Sequence, residues 1–231
     1  LIISGSLNKE NYSGIVQGKL ISAAAEKYLY NYEEDIFLKA YSKYICGINK
    51  GTESSAEDFN RMKIEDSMYS QGMYYAALTE ENDEQKDSLL RRSISSDRMN
   101  LESCAQLINL KIENRMNLQG SDLINEFNKY SGFSPILSAC SGRLMCEYKN
   151  ISAAEMESEN LKNCGSKYAY YLLSARIAGV KSDLYLKKQY LMKALSIKRS
   201  GKLAKYILEN CILTEKEFLM IQNSFPEIIS I

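Results

Sequence analysis

Apolar residues recur along most of this chain every three or four positions, the period of a helix that buries one face. Ile36, Ala40, Tyr44 and Ile48 form one such row. The pattern predicts a first helix pair over 15–30 and 33–48, closed by Gly47 and the Asn49-Lys50-Gly51 stretch. After a polar link, Thr52-Glu53-Ser54-Ser55, it predicts a long helix over 57–79 and its partner over 83–96, joined at Asn82-Asp83. A helix over 98–116 follows, and Gly120-Ser121-Asp122 reads as a restart leading to 122–130. Ser131-Gly132-Phe133-Ser134-Pro135 is the clearest break, with Ser134 as N-cap and Pro135 opening a helix to Tyr148. Helices over 152–163, 166–178, 183–197, 201–211 and 214–223 complete the series, and Phe225-Pro226 ends it.

The 231 residues are 45% hydrophobic and 25% charged, enough for a substantial core. Two prolines and twelve glycines are too little punctuation for a sandwich or barrel. The expected fold is all-α: antiparallel helix pairs in a single domain over 15–231, after a tail over 1–14, with an internal break near 131–135.

A repeat underlies the series. Ser67 to Ala76 matches Ser166 to Ala175, and Leu89 to Ser95 matches Tyr190 to Ser196. Ser103 and Leu107 then match Ala204 and Leu208. The offset is 99 residues before the intervening turn and 101 after it, which predicts a longer turn in the second copy. One helix pair cannot cover its own apolar stripe, so pairs stack, with small residues where helices approach. Ala76, Ala77, Ala175, Ala178, Ala194 and Ala204 are the expected contact points. Met68, Met73, Met99, Met145, Met192 and Met220 read as core fillers.

The order of aromatic-rich helix, turn, and small-residue helix resembles Sel1-like and tetratricopeptide repeats. Lys193-Ala194-Leu195 and Arg92-Ser93-Ile94 stand where those families carry a lysine-alanine-alanine stretch, and Ala204 with Tyr206-Ile207-Leu208 looks like the opening of a further repeat. The resemblance covers about half the chain and lacks several of the glycines typical of Sel1-like repeats. It implies a short, degenerate right-handed solenoid that serves as a protein-binding scaffold.

Histidine is absent, which removes the commonest general base and metal ligand. No dinucleotide fingerprint, P-loop or nucleophile elbow occurs. The run Glu80-Glu81-Asn82-Asp83-Glu84 lacks the glycine of a calcium loop and reads as a helix end and turn. The chain is therefore expected to be no enzyme and to hold no cofactor or metal. Its net charge is zero, which argues against a nucleic-acid partner. The charge is nevertheless uneven. Gly51 to Gln85 holds nine acidic and two basic residues, and Lys181 to Lys205 eight basic and one acidic. These are either solvated helix faces or a polarised surface that orients a partner. Lys187, Lys188, Lys193, Lys198, Arg199, Lys202 and Lys205 form the basic set, suited to acidic headgroups or a partner's acidic face.

Tyr74, Tyr75, Tyr168, Tyr170 and Tyr171 suit a binding surface, and Tyr74, Tyr75, Tyr170 and Tyr171, with Glu80, Glu81 and Asp83, are the candidate partner-binding residues. Helical spacing makes core packing the competing role for each tyrosine. Adjacent residues lie about 100° apart on a helix, so one ring of each adjacent pair is expected to be exposed. Six cysteines, Cys46, Cys104, Cys140, Cys146, Cys164 and Cys211, allow fifteen pairings. They are either buried small hydrophobes or, in an oxidising compartment, disulfide partners.

The chain opens Leu1-Ile2-Ile3-Ser4-Gly5-Ser6. Ile3-Ser4-Gly5 resembles the end of a bacterial lipoprotein signal, whose next residue is the cysteine that takes the lipid. Position 6 is serine, so Ser6 is the lipidation position only if cysteine stands there natively. No stretch reaches the roughly 18 apolar residues of a membrane span. The resemblance implies a periplasmic protein, held to the outer membrane through a lipid, with a cytoplasmic location as the alternative. A Sel1-like protein with such a start resembles periplasmic immunity proteins. Those cover the active-site entrance or docking face of lipase or phospholipase effectors delivered by type VI secretion. An envelope scaffold or assembly lipoprotein is the alternative, and a helical enzyme the more distant one.

Overall fold

The computed structural model describes residues 40, 41, 44, 59, 61, 62 and 68–226. Ten α-helices lie between Tyr69 and Ser224, and no strand occurs among the described residues. The expected helix over 15–30 lies outside the described residues, as do the tail over 1–14, Ser6 and Cys46. Of the helix expected over 33–48, Ala40, Tyr41 and Tyr44 are described and helical. The chain divides into two compact units, with the boundary between Asn114 and Arg115.

The first unit holds α1 (Tyr69–Thr79), α2 (Asp83–Ser96) and α3 (Leu101–Glu113). α1 packs on α2, and α2 on α3. The helix expected over 57–79 is broken: Arg61 is in a turn, Met62 is non-helical and α1 starts at Tyr69. Packing overrides periodicity here. Met62 lies against Gly72 so closely that a Cβ there would collide with its sulfur. The expected helix over 98–116 is shorter too, because Asn100, buried at 2% exposure, caps α3 by accepting from Ser103 N at 3.1 Å.

A buried polar knot ties the three helices. Ser70 Oγ donates to Ser93 O (3.0 Å), and Ser93 Oγ lies within hydrogen-bond distance of Ser70 O (2.7 Å) and Ser103 Oγ (2.7 Å). Asn100 Nδ2 donates to the Ser70 and Ser93 hydroxyls at 2.9 and 3.2 Å. Every member is satisfied, which removes the usual cost of polar atoms in a core. The second copy has alanine at the matching places of Ser93 and Ser103: Ala194 and Ala204, both fully buried.

The second unit runs through α4 (Asn117–Ser131), α5 (Pro135–Glu147), α6 (Ile151–Asn163), α7 (Lys167–Val180), α8 (Leu184–Ile197), α9 (Gly201–Asn210) and α10 (Glu215–Ser224). Neighbouring helices from α4 to α9 pack in pairs, and α5 also meets α7. α4 begins at Asn117 and runs through Gly120-Ser121-Asp122, so the expected restart is helix interior. Ser134 is the N-cap residue of α5 without a side-chain cap bond, and Pro135 at the first position leaves one fewer N–H to satisfy.

One turn recurs. Lys149, Gly165 and Ser182 have φ of 57°, 79° and 62°, and each sits between two helices. Around each, the chain closes the same pair of bonds: Asn150 N to Met145 O, Ser166 N to Leu161 O and Asp183 N to Ala178 O, each 2.9 Å, with the inner bond one residue earlier. This is the Schellman closure. Positive φ occurs at 115, 132, 149, 165 and 182, so the turns of this unit are 17, 17, 16 and 17 residues apart. The turn before α8 is no longer than the one before α2. Three residues link α1 to α2 and α7 to α8, and the two extra residues of the second copy lengthen α7 at its C-terminal end.

The expected small-residue contacts hold. Ala76, Ala77, Ala175, Ala178, Ala194 and Ala204 are all buried to 2% or less. Cys146, Ala154, Leu161, Leu173 and Ile177 form one core cluster of the second unit, and Ala175, Leu191, Leu195, Ala204, Ile207, Ile221 and Phe225 another. Fully burying a leucine such as Leu161 contributes about 2 kcal/mol. Met73 is fully buried, whereas Met68, Met99 and Met220 are exposed rather than core-filling.

Candidate functional surface

The candidate residues fall into two sets, one in each unit. In the first, Tyr74 and Tyr75 lie on α1 and are both half-buried. The expectation that one of them is exposed is not met, because packing partners cover both sides of the helix. Tyr75 meets the rings of Tyr41, Tyr44 and Phe59 at centroid distances of 4.8, 5.0 and 5.8 Å. Tyr74 faces Glu102 and Gln106 of α3. Burial, then the neighbouring phenols, raises the Tyr75 hydroxyl far above its ordinary value and pushes Tyr44 up to about 12. These phenols stay neutral and serve as packing.

Glu80 and Glu81 lie in the turn that follows, and Asp83 opens α2. Glu80 Oε1 accepts from Asn82 N (2.9 Å), and Asn82 Oδ1 accepts from Glu84 N and Gln85 N, both 3.0 Å. Glu80 is thus used by the turn and is half-buried, whereas Glu81 and Asp83 are exposed. Asp83 and Glu84 occupy the first turn of α2, where negative charge is favoured by the helix dipole.

In the second unit Tyr170 and Tyr171 are again both half-buried. Their rings lie 5.0 Å apart, and Tyr190 of α8 completes a trio at 6.2 and 6.1 Å. Lys193 Nζ sits 5.7 Å over the Tyr171 ring and 5.8 Å over that of Tyr190. Lys198 lies 5.5 Å over Tyr168, and Arg199 lies 5.4 Å over Phe225 while donating to Ser224 O. The pairing of Lys193 with Tyr190 is a one-turn spacing on α8 that sequence could have shown. The part played by Tyr168 depends on the α7–α8 packing.

The basic run is less uniform than its composition. Lys181 pairs with Glu155, Lys188 with Glu217 (3.0 Å) and Lys205, loosely, with Glu209 (3.9 Å). Lys187 lies 5.3 Å over Tyr206.

No protein-family model, curated protein or solved structure matches this chain.

No disulfide joins the described cysteines. Cys104, Cys140 and Cys146 are buried, and burial pushes the Cys140 thiol up to about 12 and raises those of Cys146 and Cys211. A raised thiol is a poor nucleophile. Cys164 is exposed at the end of α6 and donates to Leu161 O at 3.2 Å. Among the described residues, no group of three Cys, Asp or Glu side chains is placed to hold a metal ion, and no helix is long and apolar enough to cross a membrane.

Proposed function

We propose that this chain is a non-catalytic helical-repeat protein that binds another protein. The observation that carries the reading is the spacing of the turns. A positive-φ residue every 16 or 17 positions gives 33 or 34 residues for two helices and two turns. A tetratricopeptide pair takes about 34. Stacked pairs of that length make a short right-handed solenoid, whose use is an extended surface for a partner. Large apolar side chains left open fit that use: Leu118, Tyr185 and Ile212 are 77, 71 and 90% exposed.

A pull-down tests the proposal. The full chain is immobilised and exposed to lysate of the cells that make it. A protein recovered in stoichiometric amount and displaced by excess free chain is expected. A tightly bound small molecule in native mass spectrometry, with no protein partner, overturns it.

The narrower form is a periplasmic immunity protein that sterically covers a secreted lipase or phospholipase effector. It rests on the resemblance at Ile3-Ser4-Gly5, the even number of cysteines and the repeat. Its test is co-expression with a lipase encoded beside it. Unchanged lipase activity removes the narrower form and leaves protein binding, with an envelope scaffold as the alternative.

A further inference from the structure

Between Asp183 and Glu209 the chain carries seven basic residues and no acidic one. Lys188 and Lys205 have carboxylate partners, and Lys187 sits at the N-terminal end of α8 over Tyr206. The remaining four, Lys193, Lys198, Arg199 and Lys202, are exposed and have no carboxylate partner among the described residues. They gather at one end of the stack. Short turns make α7, α8 and α9 run alternately, so the start of α7, the end of α8 and the start of α9 share that end. Lys198, just past α8, over the ring of Tyr168 in the first turn of α7 fixes the juxtaposition.

We propose that this end, formed by Tyr168, Tyr171, Tyr190, Lys193, Lys198 and Lys202, docks an acidic face of the protein partner; the inference rests on the protein-binding reading above. Charge complementarity selects the occupant. The ring faces hold the Lys193 and Lys198 ammonium groups in place, so an acidic partner meets positive charge already positioned. Nucleic acid is disfavoured, because base stacking needs an open ring face. The tyrosine trio packs ring against ring, and Lys193 covers two of its members. A bilayer is disfavoured too. Within 167–171 and 190–203, Ile197 is the only exposed large apolar side chain, whereas surface-seated helices insert a whole apolar face.

The test uses the full chain and a fluorescein-labelled ten-residue glutamate peptide, read by anisotropy. A ten-nucleotide oligothymidylate and phosphatidylserine vesicles serve as comparison ligands. The peptide is expected to bind, more weakly as salt rises. The triple variant Lys193→Gln/Lys198→Gln/Lys202→Gln is expected to bind about tenfold more weakly, three exposed charges contributing a few-fold each. The control triple Lys129→Gln/Lys162→Gln/Lys216→Gln removes the same charge from exposed positions elsewhere in the second unit and is expected to change affinity less than about twofold. Circular dichroism confirms that both triples fold. Equal loss in both triples, no peptide binding, or tighter binding of the oligonucleotide or vesicles overturns the proposal. A pull-down partner retained equally by the first triple removes this patch while leaving the protein-binding reading intact.

Discussion

Replacing Ser93 by alanine tests whether the buried knot of the first unit is held by mutual satisfaction. Among the described residues Ser93 Oγ is the sole hydrogen-bond partner of the Ser103 hydroxyl, at 2.7 Å, and Ser103 is fully buried. Ser93→Ala leaves that hydroxyl dry and unpaired. The Asn100 amide keeps its bond to Ser70 Oγ, and Ser70 Oγ keeps its bond to Ser93 O. One orphaned hydroxyl costs about 1–3 kcal/mol. The double variant Ser93→Ala/Ser103→Ala removes the orphan and recreates what the second copy has at Ala194 and Ala204. It is expected to be more stable than the single variant and within about 1 kcal/mol of wild type. Urea unfolding followed at 222 nm reads the difference. With m of about 1–3 kcal/mol/M, a loss of 2 kcal/mol moves the midpoint by about 1 M. If the double variant costs at least as much as the sum of the two singles, the satisfaction argument is refuted and the serines act by packing alone.

Three further outcomes are expected. Gly142→Ala places a methyl group against both Leu173 methyls and 3.2 Å from Glu157 Cβ, and is expected to destabilise the second unit by about 1–3 kcal/mol in the same urea assay. Lys149→Gly and Ser182→Gly relieve left-handed backbone and are each expected to stabilise by about 0.5–1 kcal/mol, the strain relief exceeding the added chain entropy; a loss at both sites contradicts the turn assignment. Burial opposes ionisation of Asp87, but the Lys111 and Arg91 side chains outweigh it and hold the carboxyl below its ordinary value. A carboxylate depressed in the folded state adds stability above its unfolded pKa, and that share is lost as pH falls from about 5 through the folded value. Asp87→Asn is therefore expected to lower stability at pH 7 and to flatten the acid side of the stability–pH curve.

The helices of the second unit were legible because each repeats its apolar face over about three turns or more. The close contacts were legible because Ala76, Ala175, Ala194 and Ala204 occupy matched places in two similar segments. Three features needed the packed molecule. The break at Arg61 and Met62 is set by the seat that Gly72 gives to Met62, a contact between residues ten apart that periodicity does not register. The turns at Lys149 and Ser182 use left-handed residues other than glycine, so the usual helix-ending signal is missing while the hydrogen bonds remain. A helix covered on one side only would expose one member of each tyrosine pair. On α1, Tyr41 covers Tyr75 while α3 covers Tyr74, and on α7 the ring of Tyr190 meets both Tyr170 and Tyr171. At the candidate surface, composition revealed the basic excess but not which lysines are already neutralised, since Glu155 and Glu217 lie 26 and 29 residues from Lys181 and Lys188.

A chain with two similar three-helix segments has a sorting problem while it folds. α1 can meet its own partner α2, or the look-alike α8 from the other segment. Against α2, the Ser70 and Asn100 side chains find Ser93. Against α8 they find the methyl group of Ala194. A wrong pairing thus strands polar groups in a dry interface, at about 1–3 kcal/mol apiece, enough to bias the choice by tenfold or more. The polar knot works as an address. It adds little to the depth of the correct pairing and raises the energy of the wrong one, which lets one chain use two segments of similar pattern without confusing them.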